Sequence, residues 1–285
     1  MKRKVVLCPN PYKDRELEVT LEARQLLMQA GMEVDISPEF LGDEGIVLPE
    51  HLEYKELDEA LEGAVLVVSL GGDGTIMHTA RRMVGHRVPV IGVNLGSVGF
   101  LSELERNDIG RLVTAAQGHF TPSPRMMLKV ELIRKGQVVF SSYALNDATV
   151  HGVMQIVRVV ACADGRRILE FNGDGIVISS PTGSSAYSLS AGGPLVEPTV
   201  ENLILTPICP HALLARSCVL APDRVVTIEL GRLRGRAMLS VDGIDVNIEE
   251  GDVVKVRKSG HQTMLAHVGS KSFYDIVFEK LGDTK

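Results

Sequence analysis

Short hydrophobic runs alternate with helical periodicity over the first hundred residues. Two of the runs, Val5–Cys8 and Ala64–Leu70, predict strands. The second is unbroken and rich in β-branched residues, which is typical of a strand buried on both faces of a parallel sheet. The other elements predicted here are helices over Glu16–Ala30, Leu57–Leu61 and Thr75–Val84 and strands over Met32–Ile36 and Val88–Val93. This alternation predicts an α/β N-terminal domain with a Rossmann-like parallel sheet.

After Leu101 the pattern changes to extended runs separated by tight turns. Two hairpins are expected, with their turns at Lys135-Gly136 and Asp164-Gly165. The extended runs are Met127–Arg134, Gln137–Tyr143, Gln155–Ala163, Arg167–Phe171, Val225–Leu230, Ala237–Val241, Asp245–Ile248 and Val253–Val256. We therefore expect an all-β antiparallel domain over residues 103–267. The amphipathic segment Ser272–Leu281 predicts a C-terminal helix that returns to the first domain, which then comprises residues 1–102 and 268–285.

Composition narrows the classes of function. The chain of 285 residues has a net charge of −6, 5 Tyr, 7 Phe and no Trp, which argues against a nucleic-acid-binding protein. The longest apolar run is far shorter than the roughly 20 residues of a membrane span. The four cysteines (Cys8, Cys162, Cys209 and Cys218) lack metal-binding spacing, so we expect buried free thiols and a cytoplasmic protein.

The motif Gly71-Gly72-Asp73-Gly74-Thr75 lies between a buried strand and a helix, where open α/β sheets bind ligands. Its glycines let the backbone approach a phosphate, and the helix N-terminus offers free N–H groups. A carboxylate there would repel a phosphate. The conflict is resolved if Asp73 binds a metal ion or accepts a proton from a hydroxyl that is being phosphorylated. The alternative is a plain strand–helix turn.

A second dense stretch, Gly173–Pro194, is rich in glycine and small hydroxyl residues around Tyr187. It predicts a polar, close-fitting cleft for a sugar or a base, with a Ser/Thr-capped helix as the alternative. The pair Asp242-Gly243 is interpreted as a turn. The chain has no P-loop, no G-x-G-x-x-G dinucleotide motif, no G-x-S-x-G nucleophile elbow and no zinc-binding cluster.

Taken in order, these motifs resemble those of NAD kinases. The resemblance rests on Gly71–Thr75, Asn94–Leu101, the triplet Leu145-Asn146-Asp147, the long motif Gly173–Pro194 and Thr206–His211. The long motif is specific. The Gly-Gly-Asp-Gly element alone is weak, because diacylglycerol-type lipid kinases and phosphofructokinases share it.

The resemblance implies an enzyme that phosphorylates the adenosine-ribose 2′-hydroxyl of NAD, using ATP or another donor and Mg²⁺. It also implies a homodimer or homotetramer. Asp73 is then the catalytic residue that engages the 2′-hydroxyl. The implied nucleotide-binding residues are Gly72, Gly74, Asn146, Asp147, Asp174, Thr182, Ser185, Ala186, Tyr187, Ser188 and Ser190. The resemblance assigns no metal ligands.

Three positions depart from the family pattern. Asp147 replaces the usual glutamate, Ser185 replaces a threonine, and Ile244 stands where glutamine is common. None of these changes removes a required functional group.

Two alternatives to an NAD kinase are a lipid kinase of the Gly-Gly-Asp-Gly superfamily and a non-catalytic NAD-binding protein. The run Thr182–Tyr187 argues against the first, and the intact Asp73 and Asn146 argue against the second. A solvated position is favoured over contact with donor phosphates for Arg81, Arg82, Arg166 and Arg167.

Overall fold

A computed structural model describes residues 2–40, 46, 48–96, 99–212, 214–269 and 271–281. The strands are β1 (Lys4–Pro9), β2 (Glu33–Ile36), β3 (Ala64–Gly71), β4 (Val90–Asn94), β5 (Leu104–Glu105), β6 (Thr121–Arg134), β7 (Gln137–Ala144), β8 (Asp147–Gly152), β9 (Val157–Ala163), β10 (Arg166–Gly173), β11 (Gly175–Ser179), β12 (Leu203–Ile208), β13 (Cys218–Leu220), β14 (Val225–Leu230), β15 (Ala237–Val241), β16 (Ile244–Ile248) and β17 (Val253–His267). The α-helices are α1 (Glu18–Gln29), α2 (Leu57–Leu61), α3 (Asp73–Arg82), α4 (Arg111–Ala116), α5 (Tyr187–Ser190) and α6 (Phe273–Leu281). The chain divides into two units, residues 1–124 with 263–285 and residues 125–262.

The first unit is built on a parallel sheet, as the alternating pattern predicts. Its strands lie in the order β2-β1-β3-β4, and each neighbouring pair is parallel. Apolar side chains of the strands, such as Leu66 and Ile91, share one core cluster with Ala23 and Leu27 of α1 and Leu112 of α4. The β-branched run of β3 is buried because helices and neighbouring strands cover it.

The second unit contains two sheets that share a hydrophobic core. In one, β7-β6-β17-β14-β9-β10 are hydrogen-bonded in that order as part of a larger sheet, and the other has the order β13-β12-β11-β8-β15-β16. Within the second sheet every neighbouring pair is antiparallel. Val159 and Val226 of one sheet share a core cluster with Ile178 and Leu239 of the other. The expected all-β antiparallel architecture is therefore confirmed.

The structure divides the chain at different places from those expected. Residues 103–124 belong to the first unit, because β5 pairs with β4 and Leu112 and Ala115 of α4 enter the first unit's core. Strand β17 extends to His267, well beyond the Val253–Val256 run, and residues 263–285 also belong to the first unit.

Two further expectations concern helices and cysteines. Within the described ranges, no helix is both long enough and apolar enough to cross a membrane. All four cysteines are free thiols, but the expected burial holds only for Cys8, since Cys162 and Cys218 are half-buried and Cys209 is exposed. Burial raises the pKa of the Cys8 thiol well above its usual value.

Leu66→Ala should lower the free energy of unfolding by about 2–5 kcal/mol, because it leaves a cavity under a fully buried side chain of β3. Val138→Ala is the matched control, since Val138 in β7 is 55% exposed. Urea unfolding followed by circular dichroism measures both changes. Equal effects of the two substitutions would contradict the placement of β3 in the core.

Candidate functional site

Polar residues gather at one edge of the parallel sheet in the first unit. Strands β1, β3 and β4 run in the same direction, so the residues that end or follow them meet at one edge. Asn10 follows β1, Gly72 and Asp73 follow β3, and Asn94 ends β4. A cavity of about 530 Å³ opens there and is lined by Asn10, Lys13, Phe40, Gly71, Gly72, Asp73, Gly74, Thr75, Asn94, Gly96, Gly99 and Phe100. The three predicted residues of the glycine-rich motif therefore lie in one cavity.

The Asp73 carboxylate is held by the backbone of a segment 27 to 29 residues further along the chain. Oδ2 accepts a hydrogen bond from the Phe100 N–H at 2.5 Å. Oδ1 accepts from the N–H groups of Leu101 and Ser102 at 3.1 and 3.2 Å and from the Ser102 hydroxyl at 3.1 Å. These donors fix the orientation of the carboxylate and balance part of its charge at the N-terminus of α3. The repulsion expected between Asp73 and a phosphate is reduced accordingly.

Two glycines leave room for this arrangement. A Cβ added at Gly99 would lie 1.8 Å from Oδ1 of Asp73, and one added at Gly71 would lie 2.2 Å from Oγ1 of Thr75. At Gly72 and Gly74 an added Cβ would meet no atom within 4 Å. The last two glycines therefore leave the backbone at the start of α3 open toward the cavity, which suits the close approach of a phosphate.

Thr75 ties the end of β1 to the start of α3. Its hydroxyl accepts hydrogen bonds from the Asn10 side-chain amide at 3.0 Å and from the Gly72 N–H at 3.3 Å. The Asn10 N–H donates to the Leu70 carbonyl at 2.9 Å. Asn10 was not among the site residues predicted from the sequence. Its position after the first parallel strand was the signal that could have placed it at this edge.

Lys13 is the basic side chain at the cavity, and the sequence interpretation missed it. Among the described residues that line the cavity it is the single lysine or arginine. Its Nζ atom lies 3.7 Å from the position of a Cβ added at Gly96. Of the arginines considered from sequence, Arg82 donates to Glu39 and Arg167 to Glu170.

A buried ionic network supports one wall of the cavity. The fully buried Glu39 carboxylate accepts hydrogen bonds from the Thr79 hydroxyl at 2.6 Å and from Arg82 at 2.9 Å, and it also contacts Nδ1 of His78. Burial alone would raise the pKa of Glu39, but the hydrogen bonds from His78 and Thr79 and the charges of His78 and Arg82 lower it overall. The neighbouring Phe40 ring lies 4.5 Å from the His78 ring, so the network holds Phe40 at the cavity.

In the second unit, three predicted residues share a larger cavity. Asp147, Asp174 and Tyr187 lie in the wall of a cavity of about 940 Å³, with Thr149, His151, Gly152, Met154, Gln155, Ile156, Ile208, Ser240 and Asp245. Tyr187 is 46% exposed, which leaves its ring accessible to a ligand. Burial and the nearby Asp242 carboxylate raise the pKa of Asp147 to about 7, although a hydrogen bond from Thr149 opposes the shift.

The remaining predicted nucleotide-binding residues do not line this cavity. The side-chain oxygens of Asn146 and Thr182 are buried without a hydrogen-bond partner among the described residues, which suits groups that await a ligand or a water. Ser188 is fully buried, and its hydroxyl lies 2.8 Å from that of Thr206, so its contacts are internal to the fold. The remaining residues lie in the short helical turns Thr182–Ser185 and Tyr187–Ser190 or between them: Ser185, Ala186 and Ser190.

Comparison with known proteins gives a consistent result for both parts of the chain. Residues 5–117 match the model of the ATP-NAD kinase N-terminal domain, and residues 148–268 match that of the ATP-NAD kinase C-terminal domain. The NAD kinase of Natranaerobius thermophilus is 34% identical over 286 residues, covering 98% of each chain. The NAD kinase of Heliobacterium modesticaldum is 41% identical over 235 residues, covering 81% of this chain and 83% of the relative.

Two solved structures share the fold. Yeast NADH kinase complexed with NADH superimposes with a TM-score of 0.86 at 24% identity, covering 100% of this chain and 88% of that one. An NAD kinase from Archaeoglobus fulgidus in complex with ATP gives a TM-score of 0.72 at 22% identity, covering 99% and 100%. Fold and sequence thus define the chain as a phosphotransferase. It belongs to the ATP-NAD kinase family.

Gly99→Ala should displace the Asp73 carboxylate, because the added Cβ would occupy its place. We expect the rate of phosphoryl transfer to fall at least about tenfold, in line with the sensitivity of catalysis to displacements of about 1 Å. Gly110→Ala is the control, since Gly110 has a φ of −56° and an added Cβ there meets no atom within 4 Å. A steady-state kinase assay compares the variants. Unchanged turnover in Gly99→Ala would contradict the packing described for Asp73.

Proposed function

We propose that the chain transfers a phosphoryl group from ATP to the adenosine-ribose 2′-hydroxyl of NAD and so produces NADP. Membership of the ATP-NAD kinase family supports this reaction. The structural observation that carries it is the Asp73 carboxylate, oriented by three consecutive backbone N–H groups beside an open glycine-rich helix N-terminus. Phosphoryl transfer depends mainly on positioning and on charge neutralisation, and both are available there.

Asp73 orients the acceptor hydroxyl in this mechanism. Oδ2 of Asp73 accepts one hydrogen bond, from Phe100, so it keeps lone pairs for a further donor such as the ribose 2′-hydroxyl. An aspartate carboxylate is a weak base toward a sugar hydroxyl, so Asp73 takes the proton late in the transfer. The donors from the Phe100–Ser102 segment keep the carboxylate from rotating away.

Lys13 and the start of α3 bind the donor phosphates in this mechanism. The lysine supplies a positive point charge, and the open backbone at Gly72 and Gly74 supplies N–H groups and the positive end of the helix dipole. We include Mg²⁺ as the cofactor. No group of three or more Asp, Glu, His or Cys side chains fit to hold a metal occurs among the described residues.

A single carboxylate, that of Asp73, fits an ion that arrives with the nucleotide. Mg²⁺ is commonly held by one or two carboxylates and substrate phosphates, so Asp73 would hold it together with the donor. When bound, the ion neutralises charge on the phosphates.

The second unit binds the adenosine portion of NAD in this proposal. Asp147, Asp174 and Tyr187 provide polar groups in the cavity wall, and the buried oxygens of Asn146 and Thr182 lack partners among the described residues. The proposal extends this role to the other nucleotide-binding residues inferred from the family resemblance, Ser185, Ala186, Ser188 and Ser190. Because the Ser188 hydroxyl contacts Thr206 inside the fold, Ser188 contributes to nucleotide binding indirectly.

Two broader expectations remain predictions. The free state of all four cysteines supports a cytoplasmic location. The homodimer or homotetramer rests on the family resemblance. Neither alternative activity, the lipid kinase or the non-catalytic NAD-binding protein, gains support from the family matches, which name ATP-NAD kinases.

Asp73→Asn should lower kcat for NADP formation by about 10²–10⁴-fold and leave the Kd for NAD nearly unchanged, because the amide is not a proton acceptor. Asp58→Asn is the control, since the Asp58 side chain is 87% exposed. A coupled assay measures NADP, and calorimetry measures NAD binding. Near-normal turnover in Asp73→Asn would overturn the role of Asp73. NAD binding by the parent chain without NADP formation would overturn the proposed reaction.

Lys13→Met should raise the KM for ATP by about 10–100-fold, the effect of losing one charged hydrogen bond to a phosphate. The KM for NAD should change far less. Lys2→Met is the control, since Lys2 is exposed and lies outside the cavity. Initial rates over a range of ATP concentrations measure the effect. An unchanged KM for ATP in Lys13→Met would remove Lys13 from the donor site.

A further inference from the structure

The turn at Asp242-Gly243 has a second role that its backbone geometry does not require. The pair forms the tight turn between β15 and β16, with φ values of 44° and 84°, as the sequence predicts. A turn of this type needs no particular contact from the aspartate side chain. The Asp242 carboxylate is nevertheless bound to a segment about 95 residues earlier in the chain.

The Asp242 carboxylate accepts hydrogen bonds from three consecutive backbone N–H groups. Oδ2 accepts from Leu145 at 2.6 Å, and Oδ1 accepts from Asn146 at 3.1 Å and from Asp147 at 3.0 Å. The Asp242 N–H in turn donates to the Asp147 carbonyl at 3.2 Å. The segment Leu145–Asp147 is therefore fixed through its amides by a single side chain.

The carbonyl side of the same segment is fixed by Ser180. The Ser180 hydroxyl donates to the Leu145 carbonyl, and the Ser180 N–H donates to the Asn146 carbonyl at 2.8 Å. Ser180 is fully buried. A Cβ added at Gly183 would lie 2.3 Å from the Asn146 carbonyl oxygen, so the backbone packs tightly on this side as well.

We propose that Asp242 is a positioning residue of the nucleotide site, which together with Ser180 holds Leu145–Asp147 in one backbone conformation and thereby presents the side chains of Asn146 and Asp147. The inference rests on the proposed function for the identity of the ligand. We call the contacts of Asp242 and Ser180 with Leu145–Asp147 the clamp. All of these contacts lie within the second unit. Asp73 is held by three consecutive N–H groups in the first unit, so each unit contains an Asp-Gly aspartate of this kind.

The clamp has an electrostatic consequence for Asp147. It brings the Asp242 carboxylate close to the half-buried Asp147, and burial together with this negative charge raises the pKa of Asp147 to about 7. Below that pH the Asp147 carboxyl is mainly neutral and can donate a hydrogen bond; above it the carboxyl is an acceptor only. The other titratable groups around it are Tyr187 and the cavity-lining His151, Asp174 and Asp245.

Carboxyl titration of the full chain without nucleotide tests the clamp. In protein with ¹³C-labelled aspartate carboxyls, the resonance that is lost in Asp147→Asn identifies Asp147. We expect its midpoint near pH 7 in the parent chain and about one pH unit lower, or more, in Asp242→Asn. Asp164→Asn is the matched control, because Asp164 belongs to another Asp-Gly turn and its carboxylate accepts hydrogen bonds from Arg224 and Val225. In Asp164→Asn the titration midpoint of Asp147 should equal that in the parent chain.

Kinetics then separate positioning from general damage to the fold. In Asp242→Asn the KM for NAD should rise at least about tenfold while kcat at saturating NAD changes less, and the pH midpoint of KM should move down with the Asp147 titration. An Asp147 midpoint that does not move in Asp242→Asn would overturn the proposal. If Asp242→Asn does not fold, the parent chain alone still tests the proposal. A titration midpoint of Asp147 near pH 4, the ordinary value for aspartate, would then overturn it. The titration needs no nucleotide, so failure to make NADP would count against the proposed function alone.

Discussion

The candidate site of the first unit depends on how the carboxylate of Asp73 is held. If donor phosphates bind at the start of α3, as proposed, a negative charge there would be unfavourable when free to turn toward them. The N–H groups of Phe100, Leu101 and Ser102 bind it and fix its direction. The glycine at position 99 and the parallel strands that deliver both segments to one sheet edge make this arrangement sterically accessible.

The Asp242 carboxylate is also bound by three consecutive backbone N–H groups, but the consequence differs. There the three N–H groups belong to the segment that carries Asn146 and Asp147, so the carboxylate fixes neighbouring residues and need not itself meet a ligand. Together with burial, the charge that orders this backbone disfavours ionisation of Asp147. Asp242 thus contributes both to the order of this segment and to its electrostatics.

The local pattern of apolar residues and glycines predicted the features that depend on neighbouring residues in the chain. The unbroken run Ala64–Leu70 identified a buried parallel strand, and its position before the glycine-rich motif located the first cavity. Strand β12 was missed because Pro207 interrupts its apolar run, and proline is uncommon inside a sheet. The partners of Asp73 and Asp242, about 27 and 95 residues distant, depend on tertiary packing that periodicity does not encode. Lys13 was overlooked for the same reason.

A crystal structure of the chain with NAD and a non-hydrolysable ATP analogue tests the central claim most directly. We expect a carboxylate oxygen of Asp73 within about 2.6–3.2 Å of the adenosine-ribose 2′-hydroxyl, with the hydrogen bonds from Phe100–Ser102 retained. A bound NAD whose 2′-hydroxyl lies beyond hydrogen-bonding distance of Asp73, or a carboxylate that has left those N–H groups, would contradict it.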